Sequence, residues 1–338
     1  MKTVRLGRSG LIVTKPAMGC LPLQRCTEAE AVSLLRNAYD GGIRYFDTAN
    51  AYTDSEEKIG KALSSVRENI VISTKSMGRD GKTLTAHIEE SLRRLRTDYI
   101  DLFQFHLVRE PFGPDSELYE AALKARDRGL IRHIGATAHN VNVAETLVRS
   151  GMFETMQYPF SYISNEKELA LAGLCAELDV GFIAMKGLAG GLITNARACT
   201  AFMNEYPNVV PIWGIQRQEE LREWLALGEE DPALDEELRA YIAKDAASLS
   251  GSFCRGCGYC MPCPVGIPIN TAARMDMLLR RAPWQGYVTP EWKEQMERIE
   301  NCLHCGHCVS RCPYELDTPA LLRHALEDYR QFCKEHAN

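Results

Sequence analysis

Between Ala17 and about Ala226, short apolar runs alternate with segments of helical period eight times over, and this repetition restricts the chain more than any other feature. The expected strands are Ala17 to Cys20, Tyr45 to Asp47, Ile70 to Lys75, Ile100 to His106, Ile134 to Ala138, Met156 to Pro159, Phe182 to Lys186 and Val209 to Gly214. Helices are expected between them, among others at Glu28 to Tyr39, Leu84 to Leu95, Glu117 to Arg128 and Glu166 to Leu178, with Gly41, Gly129 and Gly181 as stops. Eight parallel strands of this kind close most simply into a (β/α)8 TIM barrel of the α/β class. An open doubly wound sheet is the alternative, and its G-x-G-x-x-G turn is absent after the first strand. Val4 to Leu6 and Leu11 to Val13, joined through Gly7 to Gly10, read as a hairpin that plugs one end.

The pattern breaks at Glu229 to Pro232, and Leu234 to Ala247 reads as a polar connecting helix. The expected organisation is a barrel over 1–226, a helical linker over 227–250 and a smaller, mainly α-helical domain over 251–338. Within the last, Asn270 to Arg281 and Pro290 to Asn301 read as helices.

Net charge is −6 at pH 7, so the electrostatic footprint of a nucleic-acid binder is missing. No apolar run approaches the ~20 residues that span a bilayer, and the expectation is a soluble cytoplasmic protein with no nucleic-acid or membrane partner. In a reducing compartment, clustered thiols among the 13 Cys point to metal rather than disulfides. Cys254, Cys257, Cys260 and Cys263 form C-x2-C-x2-C-x2-C-P; Cys302, Cys305, Cys308 and Cys312 form C-x2-C-x2-C-x3-C-P. The second is a bacterial ferredoxin spacing. A structural zinc site would need only four ligands, usually as separated pairs, so two [4Fe-4S] clusters are the better reading. Cys20, Cys26, Cys175, Cys199 and Cys333 lie outside both runs and read as small hydrophobes.

In a barrel, catalytic groups belong at the C-terminal ends of strands, where Asp47, Tyr52, Lys75 and His106 fall. Their combination suits carbonyl reduction. Hydride attack on a carbonyl makes an alkoxide that needs a proton, and a Lys cation beside a Tyr favours phenolate and so makes Tyr a better acid. Asp47 can keep Lys75 charged, and His106 can donate a hydrogen bond to the carbonyl oxygen.

RYFDTANAYTDSEEKIGKAL (44–63), VISTK (71–75) and SLRRLRTDYIDLFQFH (91–106) together resemble the aldo/keto reductase family. The resemblance implies that Asp47, Tyr52, Lys75 and His106 form a catalytic tetrad, with Tyr52 as general acid/base, NADPH or NADH as hydride donor and a small carbonyl or alcohol as substrate. It carries over cofactor positions as well. At the first strand end these are Gly19 and Cys20. In IGATAHN (134–140), Thr137 stands for the family's serine and Ala138 for its asparagine; Gln157 matches the glutamine at the nicotinamide. In AMKGLAGGLI (184–193), Met185 replaces a stacking aromatic and is followed by Lys186, Gly187 and Leu188. IWGIQRQEELREW (212–224) resembles the adenosine-phosphate segment, with Gly214 and Arg217 as contacts and Trp224 where asparagine is common.

The C-terminal part resembles two-cluster ferredoxins, which implies crossed ligation. Cys254, Cys257 and Cys260 would share a cluster with Cys312, and Cys302, Cys305 and Cys308 with Cys263. The whole chain is thus similar to the iron-sulfur subgroup of the family. Three functions compete. In the first, the clusters of a carbonyl reductase are structural or serve a redox protein partner. In the second, they feed single electrons to the barrel through a flavin or a substrate radical. In the third, the chain is a non-catalytic nucleotide-binding redox sensor or electron-transfer subunit.

Overall fold

A computed structural model describes residues 1–249 and 253–336. Strands β1 (Lys2–Arg5) and β2 (Ile12–Lys15) form an antiparallel hairpin. Strands β3 (Ala17–Gly19), β4 (Tyr45–Asp47), β5 (Val71–Ser76), β6 (Ile100–Phe105), β7 (Ile131–Thr137), β8 (Thr155–Pro159), β9 (Gly181–Met185) and β10 (Val209–Gly214) are parallel and close a barrel, with β10 paired to β3. This is the (β/α)8 architecture that the repeats imply.

The helices form where caps and apolar spacing require. Glu28–Asp40 starts on a Thr27/Glu30 capping box and buries Ala31, Leu34, Leu35 and Ala38, a single stripe at helical spacing. Gly81–Leu95 starts three residues earlier than its apolar face suggests, because the Asp80 side chain accepts the Thr83 N–H. Between helices and barrel the strands are buried almost throughout, as parallel strands covered on both sides must be.

The hairpin decides which end of the barrel is left for chemistry. Arg8 N–H donates to Asp179 O (2.6 Å), Arg5 pairs with the Asp179 carboxylate (2.6 Å), and Gly7 bridges Val180 just before β9 begins. Leu6 and Val13 are wholly buried against Ala17, Tyr45, Leu102 and Ile183. The N-terminal end is therefore closed, and the C-terminal strand ends carry the remaining polar groups.

The chain divides into two compact units, Met1–Gly187 with Ala196–Ala240, and Leu188–Asn195 with the described residues from Tyr241 onward. The segment that follows β9 thus groups with the C-terminal unit. The division falls within helix Glu236–Ser248, which begins two residues after the start expected from the sequence. The expected junction at 250–251 lies outside the described residues. Among the described residues the second unit is helical. The helix expected at Asn270 to Arg281 is instead two, Ile269–Ala272 and Met275–Arg281, parted at Arg274, where φ is −143° and helical bonding cannot continue. The one expected at Pro290 to Asn301 runs over Pro290–Glu297 and tightens over Arg298–Asn301. No helix among the described residues is long and apolar enough to cross a membrane.

Candidate active site and cysteine-rich module

Strand register and the two-residue alternation of side chains bring the polar residues together. Gly214, Gly19, Asp47 and Ser73 are successive partners across β10, β3, β4 and β5; Lys75, Gln104 and Gly135 are partners across β5, β6 and β7. Ser73 and Lys75 share one face of β5, so both reach Asp47. Lys75 Nζ donates to Asp47 Oδ2 (2.6 Å) and to Thr48 O (2.6 Å), and Ser73 Oγ donates to Asp47 Oδ1 (2.6 Å). Gln104 Nε2 donates to Asp47 Oδ1 (3.2 Å) and to Gln157 Oε1 (2.9 Å).

Asp47 and Lys75 are 2% and 1% exposed, which makes them a buried ion pair. Such a pair is tolerable only when its other hydrogen-bonding capacity is used, and Ser73, Gln104 and Thr48 use it here. The expected site did not include these three residues. A signal for two of them lay in the period of the strands: Gln104 precedes His106 by two residues and Ser73 precedes Lys75 by two, so each shares a face with an expected catalytic residue.

Above the pair, the Tyr52 and His106 rings meet edge to face with centroids 5.7 Å apart, and Lys75 Nζ lies 5.4 Å from the Tyr52 ring centre. Burial, aided by the Lys75 charge, pushes His106 down to about 3, so its imidazole is neutral near pH 7. His106 Nδ1 is buried and has no hydrogen-bond partner among the described residues. A neutral imidazole can donate through one nitrogen only.

The residues expected at the dinucleotide are distributed as follows. Cys20 is buried, its N–H donates to Asp47 O (2.8 Å), and burial pushes its thiol up, which keeps it protonated and inert. Thr137 Oγ1 accepts the Leu107 N–H (2.7 Å), and among the described residues no acceptor for its own proton is seen. Gln157 is drawn into the Asp47 network. Ala138 is wholly buried. Met185 ends β9 and Lys186 follows it, both partly exposed, and Lys186 has a left-handed φ of 57°. Gly187 lies on the Trp213 ring: an added Cβ would come within 2.4 Å of it. Leu188 belongs to the second unit. Gly214 is exposed at the end of β10, and Arg217, also exposed, is engaged with Glu220 (2.7 Å). Trp224 is 3% exposed and stacks on Trp213 at 4.0 Å, so the departure from asparagine serves the core of this unit.

In the second unit, burial pushes the Cys254 thiol up, with repulsion from Cys257 and Cys312 adding to it, while the Gly256 N–H (3.4 Å) and Arg274 oppose the rise. Cys260 is pushed up to about 12 by burial and by Cys254 and Cys257. Cys302 and Cys305 act on Cys308 in the same way. Cys263, Cys302, Cys305 and Cys308 line one cavity, which Cys260 also borders and whose remaining wall includes Val265, Ile267, Ile269 and Leu322. An apolar cradle with convergent thiols suits a cluster, whose binding requires and stabilises thiolates. Among the described residues no three His, Cys, Asp or Glu side chains close around a point as tightly as a single metal ion requires. A cubane, whose ligand sulfurs stand farther apart, does not demand that. Of the cysteines outside the runs, Cys175 and Cys199 are buried like Cys20, whereas Cys26 and Cys333 are half-buried.

Comparison with known proteins adds two family matches. Residues 17–205 match the aldo/keto reductase family and residues 253–317 a 4Fe-4S dicluster domain. An uncharacterized oxidoreductase of Bacillus subtilis, YqkF, is 31% identical over 208 residues, 57% of this chain and 67% of that protein. Among further curated relatives, several are matched over only 54% to 65% of their own length. An aldo-keto reductase of Bacillus halodurans in its holo form superposes with a TM-score of 0.64 at 23% identity, covering 72% of this chain and 96% of that one. Another from Klebsiella pneumoniae, solved with NADPH, gives a TM-score of 0.60 at 24% identity over 72% and 94%.

Proposed function

The chain belongs to the aldo/keto reductase family and carries a C-terminal 4Fe-4S domain, and from that premise we propose that it interconverts a small-molecule carbonyl and its alcohol using NADPH or NADH. The observation that carries this reading is the buried Lys75–Asp47 pair at 2.6 Å beneath the edge-to-face Tyr52 and His106 rings. The dinucleotide, when bound, supplies the hydride. Tyr52 gives its proton to the oxygen on which negative charge develops, and the Lys75 ammonium stabilises the phenolate left behind. Asp47, fastened by Ser73 and Gln104, keeps that ammonium charged and in place. His106, neutral, donates one hydrogen bond to the carbonyl oxygen and so orients it. The unspent Thr137 proton suits the nicotinamide amide, and Met185 offers an apolar, polarisable face to its ring. Gly19, Cys20, Gln157, Lys186, Gly187, Leu188, Gly214 and Arg217 are assigned to the dinucleotide by the family pattern.

For the clusters, the family pattern assigns Cys254, Cys257, Cys260 and Cys312 to one set and Cys302, Cys305 and Cys308 with Cys263 to the other; the repulsion of Cys254 by Cys257 and Cys312 favours the first, and the cavity shared by Cys263, Cys302, Cys305 and Cys308, with Cys260 at its border, favours the second. Bound clusters store single electrons. Cys305 is exposed and flanked by Leu303 at 65% exposure, which favours exchange with a redox protein partner at the second set. The deciding experiment is anaerobic oxidation of NADPH with a panel of aldehydes and ketones by wild type and Tyr52→Phe. Loss of ~10²-fold in turnover with unchanged NADPH affinity is the expected outcome. Equal turnover, or turnover only with a low-potential electron donor, overturns the hydride reading.

A further inference from the structure

The segment after β9 follows an unusual backbone path. Ala189, Gly190 and Gly191 have φ of 48°, 71° and 93°, left-handed values that a non-glycine residue such as Ala189 adopts only under constraint. Within the segment, Gly191 N–H and Ile193 N–H turn back, both to Leu188 O (2.8 and 3.1 Å). Two more of its carbonyls are held from the C-terminal sequence. Arg274 Nη1 donates to Gly190 O (2.8 Å) and Arg281 Nη1 to Leu192 O (2.9 Å), while Arg281 Nη2 is itself anchored on Asp245 (2.9 Å).

Arg274 also packs on the first cysteine run. Its guanidinium fills the space that a side chain at Gly256 would need: a Cβ there would stand 2.7 Å from Arg274 Cζ. Gly256 lies between Cys254 and Cys257, its φ is +64°, and its N–H points at Cys254 Sγ (3.4 Å). At the other end, a Cβ on Gly190 would stand 2.6 Å from Arg274 Nη1 and 3.2 Å from Arg255 O. Both glycines let the guanidinium approach the backbone, and the break between helices Ile269–Ala272 and Met275–Arg281 falls at this residue.

We propose that Arg274 is a positioning residue through which the first cysteine run holds Leu188–Asn195 in the conformation that receives the dinucleotide. The proposal rests on the reading above that Met185 to Leu188 meet the dinucleotide, and the chain runs directly from those residues into the held segment. It gives the cysteine-rich module a task in the reaction that needs no electron transfer to the barrel. A loop ordered in advance binds with less entropy lost, so releasing it weakens binding without touching the chemical step.

The test uses full-length holoprotein prepared anaerobically, as wild type, Arg274→Met, Arg274→Lys and Gly190→Ala. Four quantities are read: iron per chain, amide exchange over 188–195, NADPH dissociation constant by fluorescence, and kcat against KM for NADPH. Arg274→Met is expected to keep its iron, to exchange faster over 188–195 and to bind NADPH at least about fivefold more weakly, with kcat at saturation nearly unchanged. Arg274→Lys, which can still donate to Gly190 O, is expected to recover part of the affinity. Gly190→Ala displaces the guanidinium while changing no residue of the cysteine run and is expected to weaken NADPH similarly; provided that it keeps its iron, it decides the matter should Arg274→Met lose iron. Affinity equal to wild type in an iron-replete variant with the contact broken overturns the proposal. So does faster exchange with unchanged affinity. Failure of the wild type itself to bind either dinucleotide is a different result: it overturns the underlying functional reading, and this proposal falls with it.

Discussion

At the scale of single residues, Tyr52 and Lys75 are separated by what their loss leaves behind. Tyr52→Phe removes the phenolic hydroxyl and keeps the ring that meets His106. Lys75→Met leaves the Asp47 carboxylate buried without its cation, and breaking a buried pair costs about 3 kcal/mol. Urea denaturation is therefore expected to show Tyr52→Phe near wild type, Lys75→Met about 3 kcal/mol less stable, and Asp47→Asn with Lys75→Met together regaining much of the loss. A double variant no better than the single would mean that the pair's charge is not what its environment compensates. His106 supplies a pH dependence. Its folded value near 3 lies below the ordinary 6.5, so between these values the unfolded chain binds the proton that the folded one refuses. Stability from this group is complete above pH 6.5 and falls as pH drops towards 3. His106→Gln, which takes up no proton, is expected to show a shallower decline of melting temperature over pH 6.5 to 4 than wild type. Parallel curves would place His106 in a wetter setting than its burial implies.

At the scale of elements, the hairpin and β9 are fitted together around one glycine. Gly7 has a φ of +51°, and a Cβ there would meet Gly181 N at 2.2 Å and Asp179 O at 2.5 Å, all backbone atoms that cannot swing away. Gly7→Ala must therefore pull the hairpin off the start of β9 as well as pay for a left-handed alanine. The expected cost is about 2 kcal/mol or more in chemical denaturation. Because the hairpin closes the N-terminal end and the tetrad lies at the other, kcat of the folded fraction is expected to stay within about twofold of wild type. A large fall in kcat at full folding would show that the two ends of the barrel are strained together.

At the scale of the whole molecule, two compact units with separate cores imply separate responses to iron. The second unit is small and, apart from Thr318–Glu335, most of its helices are short, so thiolate–iron bonds contribute much of what holds it, as metal does in other small domains. Wild type is expected to carry about eight iron atoms per chain, and Cys333→Ala the same number, since Cys333 lies outside both runs. Removal of iron by an anaerobic chelator is expected to lower one calorimetric transition by more than about 10 °C and leave the barrel transition nearly in place. A single transition that moves as a whole would show the two units to unfold as one.

How much of this was legible beforehand follows from the range over which each feature is decided. Strand and helix positions were legible because alternation, helical spacing and caps act within a few residues, as in the Thr27 box and the apolar stripe behind it. The cysteine runs were legible because ligand spacing on a short loop is itself local chemistry. Helix Asn270 to Arg281 was misread because its periodicity continues through Arg274, whereas the backbone breaks there and the guanidinium lies between Gly190 and Gly256. Ser73 and Gln104 were visible only as strand residues; that they hold Asp47 depends on the register of β4, β5 and β6, which is set by closure of the barrel. The amino-acid sequence by itself determined the barrel, the tetrad residue types and the two cysteine runs, all encoded at short range. Only the tertiary structure decided which buried partners satisfy the Asp47–Lys75 charges and which arginines hold the segment after β9, because those contacts join residues up to 89 positions apart and exist only once the chain has closed on itself.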